Sequence, residues 1–220
     1  VKPNLLVTTP AYGCMVHQDH KKSCLQLQAG AIKDGIGVEF LDIGNQVTKK
    51  ARNSMISYFY FHKEFTHYIC LDADVGVASD CFPTLLKRRV DIIGIPTPLA
   101  GYIDGEPALN IGPVIQEYDG YAEVEYAACS VVMFSRKAVD TITPTCQHYT
   151  DDPRFSRGAS LTEIVYDVYL PGVMEGVYRP EDMGLYHRLR KLGFPMHIEY
   201  TVWIKHNKMV GLEAYRHGNN

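Results

Sequence analysis

Two aspartates separated by one residue close the apolar run His67-Tyr68-Ile69-Cys70-Leu71-Asp72-Ala73-Asp74-Val75. Side chains alternate along an extended chain, so a strand running through this segment points Asp72 and Asp74 the same way. Carboxylate oxygens aimed at one point pack poorly but suit a hard divalent cation, and such a cation most often takes phosphate as a further ligand. A nucleoside-diphosphate site is therefore the first chemistry to test, against the plainer alternative of a strand ending in a solvated acidic turn. A second acidic pair, Glu181-Asp182, follows Pro180 at the start of a helical pattern, where the helix dipole favours ionised carboxylates. A third, Asp151-Asp152, stands before Pro153 in a polar stretch that suits a solvated turn.

The elements that must position these groups follow from hydrophobic period. Leu5 to Thr9 is a strand broken by Pro10, and residues from about Gln18 to Lys33 carry apolar positions at helical spacing until Gly35 and Gly37 stop them. Val38 to Ile43 is a second strand, and Asn45 is a fair N-cap for a helix through Ala51, Met55, Ile56, Phe59 and Phe61. Tyr68 to Leu71 then delivers the two aspartates. Ser79-Asp80 opens a helix through Leu85-Leu86, and Asp91 to Ile95 is a fourth strand. Alternating strands and helices predict an α/β fold of one domain, with a mostly parallel central sheet covered on both faces. Open sheets of this kind bind ligands beyond the carboxyl ends of their strands, where Pro10-Ala11-Tyr12-Gly13, the aspartates and Pro96-Thr97-Pro98 all fall. After Pro98 a Gly/Pro-rich stretch leads to extended segments at Tyr121–Tyr126 and Ser130–Phe134, then a polar loop over about 143–160 and a helix from Pro180 that Gly193 ends.

Bulk composition narrows the function classes. The 220 residues, 46% hydrophobic and 21% charged with a net charge of -3, suit a globular domain and carry no basic footprint for nucleic acid. His20-Lys21-Lys22 and Lys87-Arg88-Arg89 are short enough to be solvated helix faces. No stretch approaches the roughly 20 apolar residues of a membrane span, and the opening apolar block is too short for a signal peptide. None of the six cysteines has zinc-knuckle or redox-pair spacing, so a soluble protein of the reducing cytoplasm is expected, with Cys70 a buried thiol.

Thr9-Pro10-Ala11-Tyr12 after the first strand, Ala51-Arg52-Asn53, His67 to Asp74, Glu181-Asp182 with Arg188 to Pro195, and His206 near the C-terminus stand in a telling order. Through most of its length the chain resembles the nucleotide-sugar glycosyltransferases of the GT-A fold, including compact forms from bacteria and large viruses. The resemblance implies a nucleotide-binding half over about 1–98 and an acceptor and catalytic half over about 99–220.

It also implies roles. Thr9, Pro10, Tyr12, Arg52, Asp72, Ala73 and Asp74 would hold the donor nucleotide. Tyr12 either stacks on the base or covers the sheet edge. Adjacent helix residues do not share a face, so one of Arg52 and Asn53 meets ligand and Arg52 is the choice; its other roles are to pin the aspartates or to stand solvated. Asp72, Asp74 and His206 would hold Mn²⁺, or Mg²⁺, with the donor diphosphate, the imidazole tilting selectivity toward manganese. Asp182 would remove the acceptor proton with Glu181 as helper or substitute, the alternative being simple helix capping. Glu125 and Asp152 are candidates for sugar or acceptor contact. The expected function is metal-dependent transfer of a hexose-type sugar from a nucleoside diphosphate to a hydroxyl-bearing glycan or glycoconjugate, with inversion. The alternatives are a sugar-phosphate nucleotidyltransferase, disfavoured because Pro10 to Met15 lacks a Gly-rich basic run, and a noncatalytic carbohydrate-binding domain.

Overall fold

The alternating pattern of the N-terminal half folds as strands and helices in the order that hydrophobic period predicts, with one short strand, Val75–Val77, added after the two aspartates. Asn4–Ala11 (β1), Gln18–Lys33 (α1), Gly37–Gly44 (β2), Thr48–Phe61 (α2), His67–Leu71 (β3), Val75–Val77 (β4), Cys81–Lys87 (α3) and Ile92–Gly94 (β5) follow one another. Then come Pro98–Ile103 (β6), Glu106–Leu109 (β7), Val114–Glu117 (β8), Tyr121–Val124 (β9), Val131–Ser135 (β10) and Arg136–Ile142 (α4). His148–Tyr149 (β11), Val165–Tyr166 (β12), Gly172–Met174 (β13), Val177–Arg179 (β14), Glu181–Lys191 (α5), Met196–Glu199 (β15), Ile204–Asn207 (β16) and Gly211–Ala214 (β17) complete the order. The structure is a computed structural model and describes residues 2–44, 47–103, 105–150, 161–207 and 211–214.

Eight strands form one sheet in the order β2-β1-β3-β10-β5-β15-β9-β8. β1 runs parallel to β2 and β3, and β15 parallel to β5. β10 enters antiparallel between β3 and β5, while β9 and β8 add an antiparallel edge. The sheet is therefore mixed, which corrects the mostly parallel expectation. Parallel neighbours need a crossover, usually a helix, and the described chain between β5 and β10 holds strands and turns instead.

Alternation sorts the core into two layers. Leu5, Val7, Ile69 and Leu71 face Leu27 and Ala31 of α1 and Phe82 and Leu85 of α3. Leu6, Tyr68 and Cys70 face Met55, Ile56 and Phe59 of α2, Val139 of α4 and Leu185 and Leu189 of α5. Phe59 is fully buried, and truncating it to Ala would cost about 3–5 kcal/mol.

Three local expectations change. α2 starts at Thr48 behind Val47, which gives no side-chain cap, and Asn45 lies outside the described residues. The Gly/Pro-rich stretch after Pro98 is a paired hairpin of β6 and β7. Part of the polar loop pairs as β11 with β12, while 151–160, and Asp152 with it, lie outside the described residues. Gly193 ends α5 as expected, at φ 86°, in the left-handed region that glycine enters without strain.

A small second sheet, ordered β17-β16-β4, matters most for chemistry. Its antiparallel register sets His206 opposite Val75, one residue from Asp74.

Candidate active site

β3 ends at Leu71, so Asp72, Ala73 and Asp74 form a turn rather than the strand's last residues. Their directions are set by hydrogen bonds to this turn, not by strand alternation. Asp72 N donates to Ser130 O at 2.8 Å, and Asp72 O accepts from Val75 N at 3.2 Å and from His20 Nδ1 at 3.0 Å. Ala73 O accepts from His17 N at 2.8 Å. Asp74 O accepts from Asn207 N at 2.8 Å and Asn207 Nδ2 at 3.2 Å. Donors from α1, its N-cap and β16 thus fix all three carbonyls. A turn held this firmly presents its side chains without paying to order them at ligand binding.

Asp72 and Asp182 meet on Arg52. This side chain of α2 is 6% exposed, and its Nη2 donates to Asp72 Oδ1 at 2.8 Å while its Nη1 donates to Asp182 Oδ1 at 3.0 Å. Nη2 also reaches Cys129 O at 3.3 Å, and Cys129 N donates to the other Asp182 oxygen at 3.1 Å. Burial works against the guanidinium charge, but Asp72 and Asp182 outweigh it and hold Arg52 firmly protonated. Burial pushes the Asp72 carboxyl above its usual range, Arg52 opposes that, and the charges of Asp74 and Asp182 add to it. The Cys70 thiol beneath is pushed up to about 12 by burial, so it stays neutral and adds no charge. Asp182 links α5 to α2 through Arg52, and it stands with Glu181 in the first turn of α5, where the helix dipole favours the ionised carboxylates. Asn53 turns elsewhere, to Asp167 Oδ1 at 2.6 Å and Tyr169 N at 2.7 Å, so the two neighbours diverge as helix geometry requires.

Asp74 meets His206. His206 is buried, its Nδ1 lies 2.9 Å from Pro98 O, and its Nε2 lies 3.3 Å from Asp74 Oδ2. A carbonyl only accepts, so Nδ1 carries the proton, and in the neutral ring the Nε2 lone pair faces a carboxylate oxygen. Two acceptors at that distance need a cation or a proton between them. A backbone carbonyl on the far ring nitrogen is also the usual support of a metal-binding histidine. Among the described residues no three His, Cys, Asp or Glu side chains gather as a ready-made metal cage. Magnesium-type ions do not need one, since they bind through one or two carboxylates and complete their shell with water and substrate phosphates. The donor chemistry of Asp74 and His206, with Asp72 adjacent, fits such an ion.

The other sequence candidates are placed less directly. Thr9 turns inward, with Oγ1 3.3 Å from His20 Nε2, and Pro10 is buried in β1. Tyr12 stands 73% exposed in the turn after β1. Glu181 begins α5, and its carboxylate carries no hydrogen bond or ion pair among the described residues. Glu125 stands 4.0 Å from Arg179. Sequence reasoning missed His20, set with Lys21 and Lys22 on a solvated face, although it is 2% exposed and holds the aspartate turn. A buried neutral imidazole on a helix otherwise rich in polar residues leaves no periodic signal.

No protein-family model and no curated protein matches the chain in sequence. Among solved structures, A197 from STIV is similar over 99% of this chain and 97% of its own, at 12% identity and TM-score 0.53. A glycosyltransferase involved in the glycosylation of the major capsid of PBCV-1 is similar over 65% of this chain and 66% of its own, at 11% identity and TM-score 0.36. HddC from Yersinia pseudotuberculosis is similar over 62% and 79%, at 13% identity and TM-score 0.37. The likeness to A197 shows a shared α/β fold over nearly the whole chain; the two weaker likenesses carry no weight for function.

Proposed function

We propose that this chain is a metal-dependent glycosyltransferase of the GT-A type, moving a sugar from a nucleoside diphosphate to a hydroxyl acceptor. One observation carries the reading. Among the described residues, Asp72 and Asp182 pair with one buried guanidinium, Asp74 adds its charge beside Asp72, and the His206 Nε2 is set against Asp74. Such an excess of negative charge in a partly buried site calls for added positive charge; a divalent ion would supply it and would offer its remaining coordination sites to diphosphate oxygens. Asp74 and His206 are the residues assigned to hold Mn²⁺ or Mg²⁺, with Asp72 beside them. The ion's chemistry is Lewis-acid stabilisation of the leaving nucleoside diphosphate.

The chain's own groups do the rest. Tyr12 offers an open ring to the base at the end of β1. Arg52 keeps Asp72 and Asp182 at a fixed separation, so donor and acceptor sides of the site are aligned by one rigid side chain. Asp182, a quarter exposed, retains lone pairs beyond its bonds to Arg52 and Cys129 and is assigned to accept the acceptor hydroxyl proton. Glu181 is the alternative base.

The test is incubation with a panel of nucleoside diphosphate sugars and Mn²⁺. Release of nucleoside diphosphate that is lost in Asp74→Ala supports sugar transfer. Pyrophosphate formation from nucleoside triphosphate and sugar phosphate would assign nucleotidyl transfer instead, and silence with every donor would leave a binding domain.

A further inference from the structure

A small cavity of about 40 Å³ opens beside α5, lined by Glu125, Tyr126, Arg179, Met183, His187 and Arg190. Met183, His187 and Arg190 lie one turn apart and share a helix face, while Arg179 enters from the end of β14. Three nitrogens of this lining, Arg179 Nε, His187 Nε2 and Arg190 Nε, are buried without a hydrogen-bond partner among the described residues. A single buried nitrogen without a partner calls for an explanation, and three on residues that line one cavity call for a shared one.

The neighbouring acids do not supply it. Glu125 Oε1 stands 4.0 Å from Arg179 Nη1, beyond hydrogen-bonding range. Glu175 Oε2 is 3.4 Å from His187 Nε2 without hydrogen-bond geometry, and the same carboxylate is engaged by Lys191. Glu123 takes Arg190 through Nη1 at 2.6 Å while Nη2 donates to Val124 O at 2.6 Å, which fixes the guanidinium plane and leaves Nε over. The space exceeds the ~10–15 Å³ that one water needs and suits the oxygens of one small oxyanion.

We propose that this cavity binds the oxygen end of a small anion, a phosphate or carboxylate group, with Arg179, Arg190 and His187 as its donors. Arg179 and Arg190 favour charged over neutral oxygen, since charge-assisted bonds are about twice as strong, while Glu123 and Glu125 offset part of their charge. Glu125, 47% exposed at the rim, is the acid that the anion displaces from Arg179. The lining includes neither Asp74 nor His206, and the proposal stands whether or not sugar transfer is the reaction.

Calorimetric titration of inorganic phosphate, without divalent metal, tests it. The parent should bind, Arg179→Gln should weaken binding about tenfold or more, and Glu125→Gln should tighten it severalfold. If Arg179→Gln does not fold, Arg179→Lys replaces it, keeping the charge but losing the fork. Glucose and glucose 1-phosphate are the further arms. Tighter binding of the sugar phosphate than of phosphate, with glucose silent, assigns the anion to a substrate; equal binding assigns a free ion. Absent phosphate binding, indifference to either Arg179 variant that folds, or glucose binding that Glu125→Gln weakens would overturn the proposal, the last by showing a hydroxyl subsite.

Discussion

Replacing Arg52 with Met should unfold the protein far more easily while leaving the chain's shape nearly filled. Arg52 is 6% exposed and pairs with Asp72 and Asp182, whose side chains are 22% and 25% exposed. Removing one partner of a largely buried ion pair costs about 3–5 kcal/mol, because the abandoned charge stays desolvated. For a domain of this size each kcal/mol moves Tm by about 2–4 °C, so the expected fall is roughly 6–20 °C. The sign of the pH dependence follows from Asp72, whose carboxyl is already raised by burial. A raised acid binds its proton more tightly when folded, so stability grows as pH falls through that raised value toward the unfolded one near 3.8. The Arg52→Met penalty should therefore shrink in acid. Adding Asp72→Asn to Arg52→Met should restore part of the loss, a coupling of about 1.5 kcal/mol or more. Urea unfolding of the single and double variants at pH 7 and pH 5 reads these quantities. A single-variant loss below about 1 kcal/mol, or strictly additive effects, would refute the charge-bridge argument.

Three further outcomes are expected. Asp182→Asn should lower turnover about a hundredfold to ten-thousandfold with donor Kd little changed; near-normal turnover would move the base to Glu181. Burial lowers the His20 pKa from its usual 6.5, so the folded state resists protonation and stability should fall as pH drops below about 6.5; denaturant titrations should show this slope flattened in His20→Gln. Tyr12→Ala should raise donor Kd about fivefold or more, as base stacking is worth about 1–3 kcal/mol, with Tm within a degree or two because the ring is 73% exposed.

What the sequence disclosed depended on whether a signal was periodic. The helix over Gln18–Lys33 and the strands β1, β2, β3 and β5 stand where apolar spacing put them, because each buries a regular stripe. β10 was visible as a strand, but its reversed direction was not, since direction is fixed by the connection and its neighbours. Asp72, Asp74, Asp182, Arg52 and His206 were singled out by residue type and order, and the structure brings Arg52 onto Asp72 and Asp182 and His206 onto Asp74. Their pairing was hidden, because it depends on the β4–β16 register and on α5 and α2 contributing to the same core cluster. His20 and Asn207, which hold the aspartate turn through its backbone, left no trace, as carbonyl contacts carry no side-chain code on the partner residue.

The central claim is that Asp74 and His206 take a divalent cation together with a nucleoside diphosphate. Calorimetric titration of UDP and GDP with and without Mn²⁺, in the parent and in Asp74→Asn, tests it most directly. Binding of one nucleotide that requires Mn²⁺ in the parent and disappears in Asp74→Asn, with thermal stability retained, is the expected result. Equal affinity with and without the metal, or equal metal-dependent affinity in the variant, would contradict it.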